Sequence, residues 1–158
     1  MVKFGIDVLI ADHPDWKTKK IGLVTNAAAK TNQNQSVYLA LLTAGFNVTK
    51  LFSPEHGFDT KGADGARIPN ETDSFSKLPI VSLYGDKLSP SPEDLADLDL
   101  ILFDIPDVGV RFYTYLWTLT YVLEACKREN KTLVVLDRPN PLSGNLALSE
   151  GPALNQIC

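Results

Sequence analysis

The sequence has few cysteines, no long hydrophobic run and no surplus of positive charge. Its 158 residues include only Cys126 and Cys158, without a C-x-x-C pair, so neither a disulfide framework nor a zinc site is indicated. The longest uninterrupted apolar run, Val37–Leu42, is too short for a transmembrane helix. The first residues lack the apolar core of a signal peptide, so the sequence as it stands predicts a cytoplasmic protein.

The charge balance disfavours polyanionic partners. The chain has 15 Lys and Arg residues against 19 Asp and Glu residues, a net charge of −4. Because there is no basic surplus to neutralise phosphates, we expect no nonspecific binding to nucleic acid or to anionic lipid. A composition that is 44% hydrophobic and 22% charged is typical of a globular protein with a substantial core. The length predicts about one domain.

Short apolar runs of β-type residues alternate with segments of helical periodicity. Strands are predicted over 21–26, 46–52, 79–84, 98–105 and 131–136. Helices are predicted to begin after Ser36 and Ser91, and the longest covers Val110–Glu129. The apolar face predicted for that helix consists of Phe112, Tyr115, Leu116, Leu119, Leu123 and Cys126. Strands alternating with helices predict a three-layer α/β domain with a mainly parallel sheet.

Polar residues follow every predicted strand. In open parallel sheets, ligands bind beyond the carboxyl ends of the strands, near the point where the strand order reverses. The candidates there are Asn26, the segment 53–57, Tyr84, Gly85, Asp104, Asp107, Asp137, Arg138 and Asn140. Loops are polar in any protein, so each candidate alone could be an ordinary strand end. Their convergence as a set predicts a site at one edge of the sheet.

Glu55 and His56 are the strongest candidates in that set. A carboxylate beside an imidazole, after the stiff Pro54, is suited to acid/base chemistry, and partial desolvation favours the protonated carboxyl that a general acid needs. Adjacent side chains on extended backbone point to opposite sides, so we expect one of the two to face the cleft and the other to support it. His56 could equally be a buried ring hydrogen-bonded to the backbone.

Several other candidates have alternative roles. Asp104 could be a second catalytic carboxylate, a helix N-cap or an ion-pair partner of Arg111, whereas Asp107 is better explained as a cap or ion-pair partner. Arg138 could clamp a carboxylate of an anionic substrate, or form a salt bridge to Asp137 or Asp104.

A second stripe on the long helix consists of Tyr113, Trp117 and Tyr121. We expect it to pack against the sheet or another domain; a platform for a sugar ring is the alternative. The sequence has no G-x-G-x-x-G fingerprint, no phosphate-binding P-loop and no G-x-S-x-G elbow, and it implies no cofactor. The polar, aperiodic segment 59–77 is predicted to be a long functional loop.

Five runs together resemble a bacterial family of exo-β-N-acetylmuramidases, formerly a domain of unknown function, which release N-acetylmuramic acid from peptidoglycan fragments. The runs are LFSPEHGF (51–58), LPIVSLYG (78–85), LILFDIPDVGVRFYTY (100–115), VVLDRPNPLSG (134–144) and EGP (150–152). The resemblance implies a Rossmann-like N-terminal domain, then a C-terminal domain, with the active site in the cleft between them. It also implies that Glu55, in the E-H-G-F motif, is the leading catalytic residue, and our hypothesis is that Glu55 acts as the general acid.

The other site residues follow from the same resemblance and from the strand ends. The catalytic set is Glu55, His56 and Asp104, and the substrate-binding set is Asn26, Arg111, Tyr113, Asp137, Arg138 and Asn140, without a metal. The implied partner is an amino-sugar substrate derived from peptidoglycan. Two departures from the family pattern stand out: Pro106 replaces a glutamine, and Ala27–Ala29 removes side chains from one strand exit.

The resemblance also predicts the domain organisation. Residues 1–152 are expected to form the N-terminal catalytic domain, and 153–158 the truncated start of a C-terminal domain that the same or a second chain would supply. Family members may also be exported. The chain alone could then be inactive, and the alternatives are a noncatalytic sugar- or anion-binding module, a subunit of a split enzyme, or an unrelated nucleotide-binding domain.

Overall fold

Six strands form one sheet, in which five strands run parallel. The computed structural model describes residues 2–63, 66 and 69–151. The strands are β1 (Ile21–Thr25), β2 (Val48–Ser53), β3 (Glu71–Thr72), β4 (Pro79–Ser82), β5 (Leu100–Asp104) and β6 (Thr132–Val135). Their order is β3-β4-β2-β1-β5-β6, and only the short β3 is antiparallel to its neighbour. The predicted strands agree with β1, β2, β4, β5 and β6 to within two residues at each end.

In the described part of the chain, four helices cover the two faces of the sheet. They are α1 (Gly5–Asp12), α2 (Val37–Thr43), α3 (Pro92–Leu95) and α4 (Tyr115–Arg128), with 3₁₀ turns at Pro14–Thr18 and Leu146–Leu148. The predicted starts of α2 and α3 are confirmed. At α3 the Ser91 hydroxyl accepts a hydrogen bond from the Asp94 amide, while the Asp94 carboxylate accepts one from the Ser91 amide.

Alternate residues of the central strands enter two different cores. Leu102 of β5 packs in one cluster with Ile6 of α1 and Leu41 of α2. Its neighbour Ile101 packs on the other face, in a cluster with Val122 of α4. Because β1 and β5 are buried on both faces, the residues before the polar last residue of each strand are nonpolar rather than alternating with polar ones. The predicted three-layer α/β class, with its mainly parallel sheet, is therefore confirmed.

The prediction for the longest helix was wrong at its start and in part of its buried face. The helix begins at Tyr115, because residues 110–113 form a separate turn that is closed by a hydrogen bond from the Tyr113 amide to the Val110 carbonyl at 3.2 Å. Tyr115 and Cys126 are buried as predicted, but the others buried on α4 are Thr118, Val122 and Ala125. Phe112, Leu116 and Leu123 are exposed. The buried side of α4 therefore differs from the predicted apolar face.

The second predicted stripe does not pack against the sheet as a unit. Trp117 is exposed, and Tyr113 lies before the helix with its ring against Tyr115. The structure adds α1 and β3, neither of which was predicted, and β3 lies inside the expected loop 59–77, four of whose residues fall outside the described residues. The predicted domain boundary at 152/153 and Cys158 also lie outside them.

Two further observations concern the described residues only. Across residues 2–63, 66 and 69–151, none of the helices has the length and apolar character needed to cross a membrane. In the same part of the chain, no three His, Cys, Asp or Glu side chains come together in a way that could hold a metal ion. Cys126 is buried, and burial raises the pKa of its thiol to about 11, so the thiol stays protonated and inert.

Candidate active site

The strand order reverses between β1 and β5, and the candidate site is built around that point. From β1 the chain turns to β2 on one side, whereas β5 lies on the other side of β1. Thr25, the last residue of β1, is paired with Asp104, the last residue of β5, and the Thr25 hydroxyl donates to the Asp104 carbonyl at 2.9 Å. The crevice beyond such a reversal is where open α/β sheets bind ligands.

Asp104 and Arg138 form a buried bidentate ion pair at this reversal. Arg138 Nε donates to Asp104 Oδ1, and Arg138 Nη2 donates to Asp104 Oδ2 at 3.0 Å. The third guanidinium nitrogen, Nη1, donates to the Lys30 carbonyl at 2.6 Å, and the Phe4 ring lies 5.1 Å from the guanidinium carbon. Burial raises the pKa of the Asp104 carboxyl, and the Arg138 guanidinium opposes that rise. Of the alternatives for Arg138, the structure shows the salt bridge to Asp104.

Glu55 is buried just after β2. It is 8% exposed and lies in a series of turns that begins after Pro54. The loop after β1 is joined to these turns by a hydrogen bond from the Ala27 amide to the Phe58 carbonyl at 2.8 Å. The Tyr115 hydroxyl donates to the Glu55 carbonyl at 3.4 Å, which joins the turns to the start of α4. The turns that carry Glu55 are therefore fixed to the loop after β1 and to the start of α4.

His56 does not lie on the extended backbone that the sequence led us to expect. Its φ is 68°, in the left-handed region that non-glycine residues adopt rarely. Its ring Nδ1 lies 2.9 Å from the Gly62 carbonyl oxygen and therefore carries the proton. This bond orients the ring and fixes one tautomer. Strained backbone beside a buried carboxylate is typical of functional sites.

Asn26, directly after β1, and Tyr115, at the start of α4, are two buried polar residues of the site. Asn26 is buried, and its side-chain oxygen accepts a hydrogen bond from the Ala28 amide at 3.0 Å. Its Nδ2 atom has no hydrogen-bond partner among the described residues, and neither does the buried hydroxyl of Ser53. Burial raises the pKa of the Tyr115 hydroxyl. The nearby Tyr113 and Glu55 side chains raise it further, and the Asn26 side chain acts in the opposite direction. Tyr115 is therefore protonated at neutral pH and able to donate.

The other predicted site residues lie on the loops after β5 and β6. Arg111, Asp137 and Asn140 are exposed, and Tyr113 is half-buried. Asp137 accepts a hydrogen bond from the Arg138 amide at 2.9 Å. A cavity of about 190 Å³ at this edge is lined by Asp107, Tyr115, Asp137 and Arg138 among others. The Glu55 turns do not line this cavity themselves, and Tyr115 joins the two through its hydrogen bond to the Glu55 carbonyl.

Sequence reasoning did not select all the residues that build this arrangement. Tyr115 was predicted only as a packing residue of the long helix, although it belongs to the FYTY run that carries part of the family resemblance. The contacts that Lys30 and Phe4 make with Arg138 have no local sequence signal, because they come from distant parts of the chain.

The loops after β5 and β6 meet at Gly109. Its φ is 76°, and a Cβ there would overlap the Asn140 side chain. Asp107 accepts a hydrogen bond from the Gly109 amide at 2.8 Å, so it caps this turn rather than a helix. Only glycine fits a left-handed position so close to a neighbouring side chain.

We expect Gly109→Ala to destabilise the protein by more than about 1 kcal/mol and to displace Asn140, because alanine is strained at positive φ. Urea unfolding and the NMR resonances of the Asn140 side chain measure the two effects. Gly144→Ala is the matched control, since a Cβ there meets no neighbouring atom. Equal stability of the two variants would contradict the assignment.

The fold and the site define a Rossmann-like α/β protein with two buried carboxylates, Glu55 and Asp104, at the carboxyl ends of the two strands that flank β1. The family model described as "Exo-beta-N-acetylmuramidase NamZ, N-terminal" matches residues 21–158. The chain belongs to this family, as the five sequence runs predicted.

Comparison with individual proteins agrees with this assignment. The chain is 42% identical, over 155 residues, to the peptidoglycan β-N-acetylmuramidase NamZ of Bacillus subtilis (strain 168). The match covers 97% of this chain and 37% of that relative, so the chain spans little more than a third of the relative's length.

Two crystal structures of DUF1343 family proteins from Bacteroides fragilis NCTC 9343 share the fold. The alignment with the first has a TM-score of 0.79 and 38% sequence identity. It covers 90% of this chain and 36% of that protein. The alignment with the second has a TM-score of 0.71 and 34% sequence identity. It covers 88% of this chain and 35% of that protein.

Proposed function

We propose that this chain supplies the catalytic-glutamate domain of a glycoside hydrolase that releases terminal β-linked N-acetylmuramic acid from peptidoglycan fragments. The name of the Bacillus subtilis relative supports this substrate class. The observation that carries the proposal is the burial of Glu55, within the family's E-H-G-F run, at a strand end beside the reversal point of the sheet. Since the chain spans 37% of that relative, the C-terminal region of the family completes the enzyme in this proposal.

Glu55 is the general acid in this mechanism. It protonates the glycosidic oxygen as the bond to the leaving sugar breaks, which avoids expulsion of an alkoxide. His56, whose ring is oriented by the Gly62 carbonyl, supports the carboxyl from the next position. Tyr115 holds the Glu55 backbone through its hydroxyl.

Asp104 acts as a positioning residue in the same mechanism. Both of its carboxylate oxygens accept hydrogen bonds from Arg138, so they are already engaged. The second catalytic group, which activates water or attacks the sugar, then comes from the C-terminal region. In this proposal Tyr113, Asp137 and Asn140 bind the substrate from the loops after β5 and β6, and the buried Asn26 binds it from the end of β1.

Arg111 is the better anchor for the acidic substituent of the sugar. The guanidinium of Arg138 is buried against Asp104 and the Lys30 carbonyl, whereas the Arg111 side chain is exposed on the loop after β5, where a ligand can reach it. N-acetylmuramic acid carries a lactyl carboxylate, which arginine binds in a bidentate manner.

A chromogenic β-N-acetylmuramide tests the activity. We expect hydrolysis when the chain is co-expressed with the polypeptide that follows the matched region in the Bacillus subtilis relative, and little or none by the chain alone. A stable two-part complex without hydrolysis would contradict the proposal. Turnover by the chain alone would show that the C-terminal region is dispensable.

A noncatalytic amino-sugar-binding module is the second candidate. It is favoured by Ala27–Ala29, which leaves the exit of β1 without the side chains common in the family. Calorimetric binding of N-acetylmuramic acid to the chain, without turnover in either preparation, would support this candidate instead.

A further inference from the structure

β6 is the least covered of the parallel strands that pair along their length. β1 and β5 are buried at every position, whereas Thr132 and Val135 of β6 are exposed. β6 pairs with β5 on one side, and among the described residues its other edge has no strand beside it. Such an edge presents unpaired amide and carbonyl groups that another strand can pair with.

Cavities flank β6 on both faces of the sheet. The cavity of about 190 Å³ lies between β6 and α4 and is lined by Leu116 and Leu119. A second cavity, of about 310 Å³, lies on the α1 side and is lined by Leu9 and Trp16. Both include Val135 in their walls. The covering helices therefore leave gaps above and below the same strand.

An exposed apolar side of α4 begins at Leu116, which lines the same cavity as Val135 of β6. Leu116 is 58% exposed, Leu123 is 48% exposed and Val135 is 47% exposed. Leu116 and Leu123 are seven residues apart, two turns along one side of the helix. We call these three residues the β6 surface. The sequence predicts burial for both leucines, and the described residues do not supply the cover.

We propose that the outer edge of β6 receives a further parallel strand, and the β6 surface a covering apolar helix, from the C-terminal region of the NamZ family. The order β4-β2-β1-β5-β6 corresponds to the first five positions of the six-stranded Rossmann order 3-2-1-4-5-6, in which the sixth strand lies at this edge. A parallel neighbour requires a crossover of a dozen or more residues.

The chain and its relatives indicate where that strand comes from. After β6 the chain leaves the sheet, and residues 139–151 are exposed without forming a further strand. The family model that matches this chain describes an N-terminal region, and the Bacillus subtilis relative extends well beyond the matched 37% of its length. The C-terminal region is thus the occupant that follows directly in sequence.

Hydrogen–deuterium exchange tests the proposal without measuring hydrolysis, so its outcome is independent of the proposed activity. The 158-residue chain is compared alone and in complex with the polypeptide that follows the matched region of the Bacillus subtilis relative. We expect the Thr132–Val135 amides to exchange at least tenfold more slowly in the complex. A chimera that joins the two polypeptides provides the same comparison if the second does not fold separately.

Two variants locate the surface. Val135→Lys and Leu116→Lys should each weaken the complex at least tenfold, whereas Phe75→Lys should not, because Phe75 is exposed between β3 and β4 at the opposite edge. Unchanged exchange of the β6 amides in both complex and chimera would overturn the proposal. So would wild-type binding by Val135→Lys, or protection of β6 by self-association of the chain.

Discussion

Glu55→Gln is expected to lower the rate of β-N-acetylmuramide hydrolysis by the two-part enzyme ~10²–10⁴-fold, the range for loss of a general acid. The amide has nearly the same shape as the carboxyl but cannot give up a proton to the leaving oxygen. Because Glu55 is 8% exposed and held by its neighbours, the variant should keep its fold. The expected change is therefore in kcat, with KM close to that of the wild type.

Glu71→Gln is the matched control for this experiment. Glu71 is an exposed carboxylate in β3, on the far edge of the sheet, and its replacement should leave both kinetic constants unchanged. A Glu55→Gln enzyme that hydrolyses at the wild-type rate would remove Glu55 from the role of acid. An equal loss in both variants would point to a general effect of lost charge.

The second large effect is expected on stability. Arg138→Met should reduce the free energy of unfolding by ~3–5 kcal/mol, because it leaves the fully buried Asp104 carboxylate without its cation. The loss should shrink at low pH, where protonation neutralises the orphaned carboxyl in the variant. Urea unfolding at neutral and acidic pH measures both quantities.

A double variant separates the charge from the packing in this case. Asp104→Asn combined with Arg138→Met removes both charges and should recover part of the loss. Arg128→Met is the control, since Arg128 pairs with Glu129 on the surface, and exposed pairs contribute about 1 kcal/mol or less. If Arg138→Met costs no more than this control, the pair does not stabilise the fold.

The layers of the fold could be predicted because the physical signal is local. Strands buried on both faces have runs of apolar residues, as in the first four residues of β5. In helices that cover a sheet, apolar residues recur with a period of about 3.6. α1 escaped prediction because Phe4, at its N-cap position, is not one of the residue types that mark a helix start. Its first residue, Gly5, is explained by a long-range contact, since a Cβ there would overlap the backbone of Leu136 and Asp137.

The orientation of α4 shows where periodicity alone fails. The sequence places Leu116, Leu123 and Tyr115 on one apolar face, but the sheet covers only the part of it that includes Tyr115. Helical spacing defines which side chains lie together. It does not say how much of the face the neighbouring layer reaches.

By itself the sequence determined the α/β class, the alternation of strands and helices, and the set of polar residues at the strand ends, Glu55, Asp104 and Arg138 among them. Each of these depends on neighbours within a few turns of the chain. Only the tertiary structure decided that Arg138 binds Asp104 and Lys30, that Tyr115 reaches the Glu55 carbonyl, and that β6 is left with an open edge. Those outcomes depend on strand order and on contacts between residues up to 108 positions apart, which no local pattern encodes.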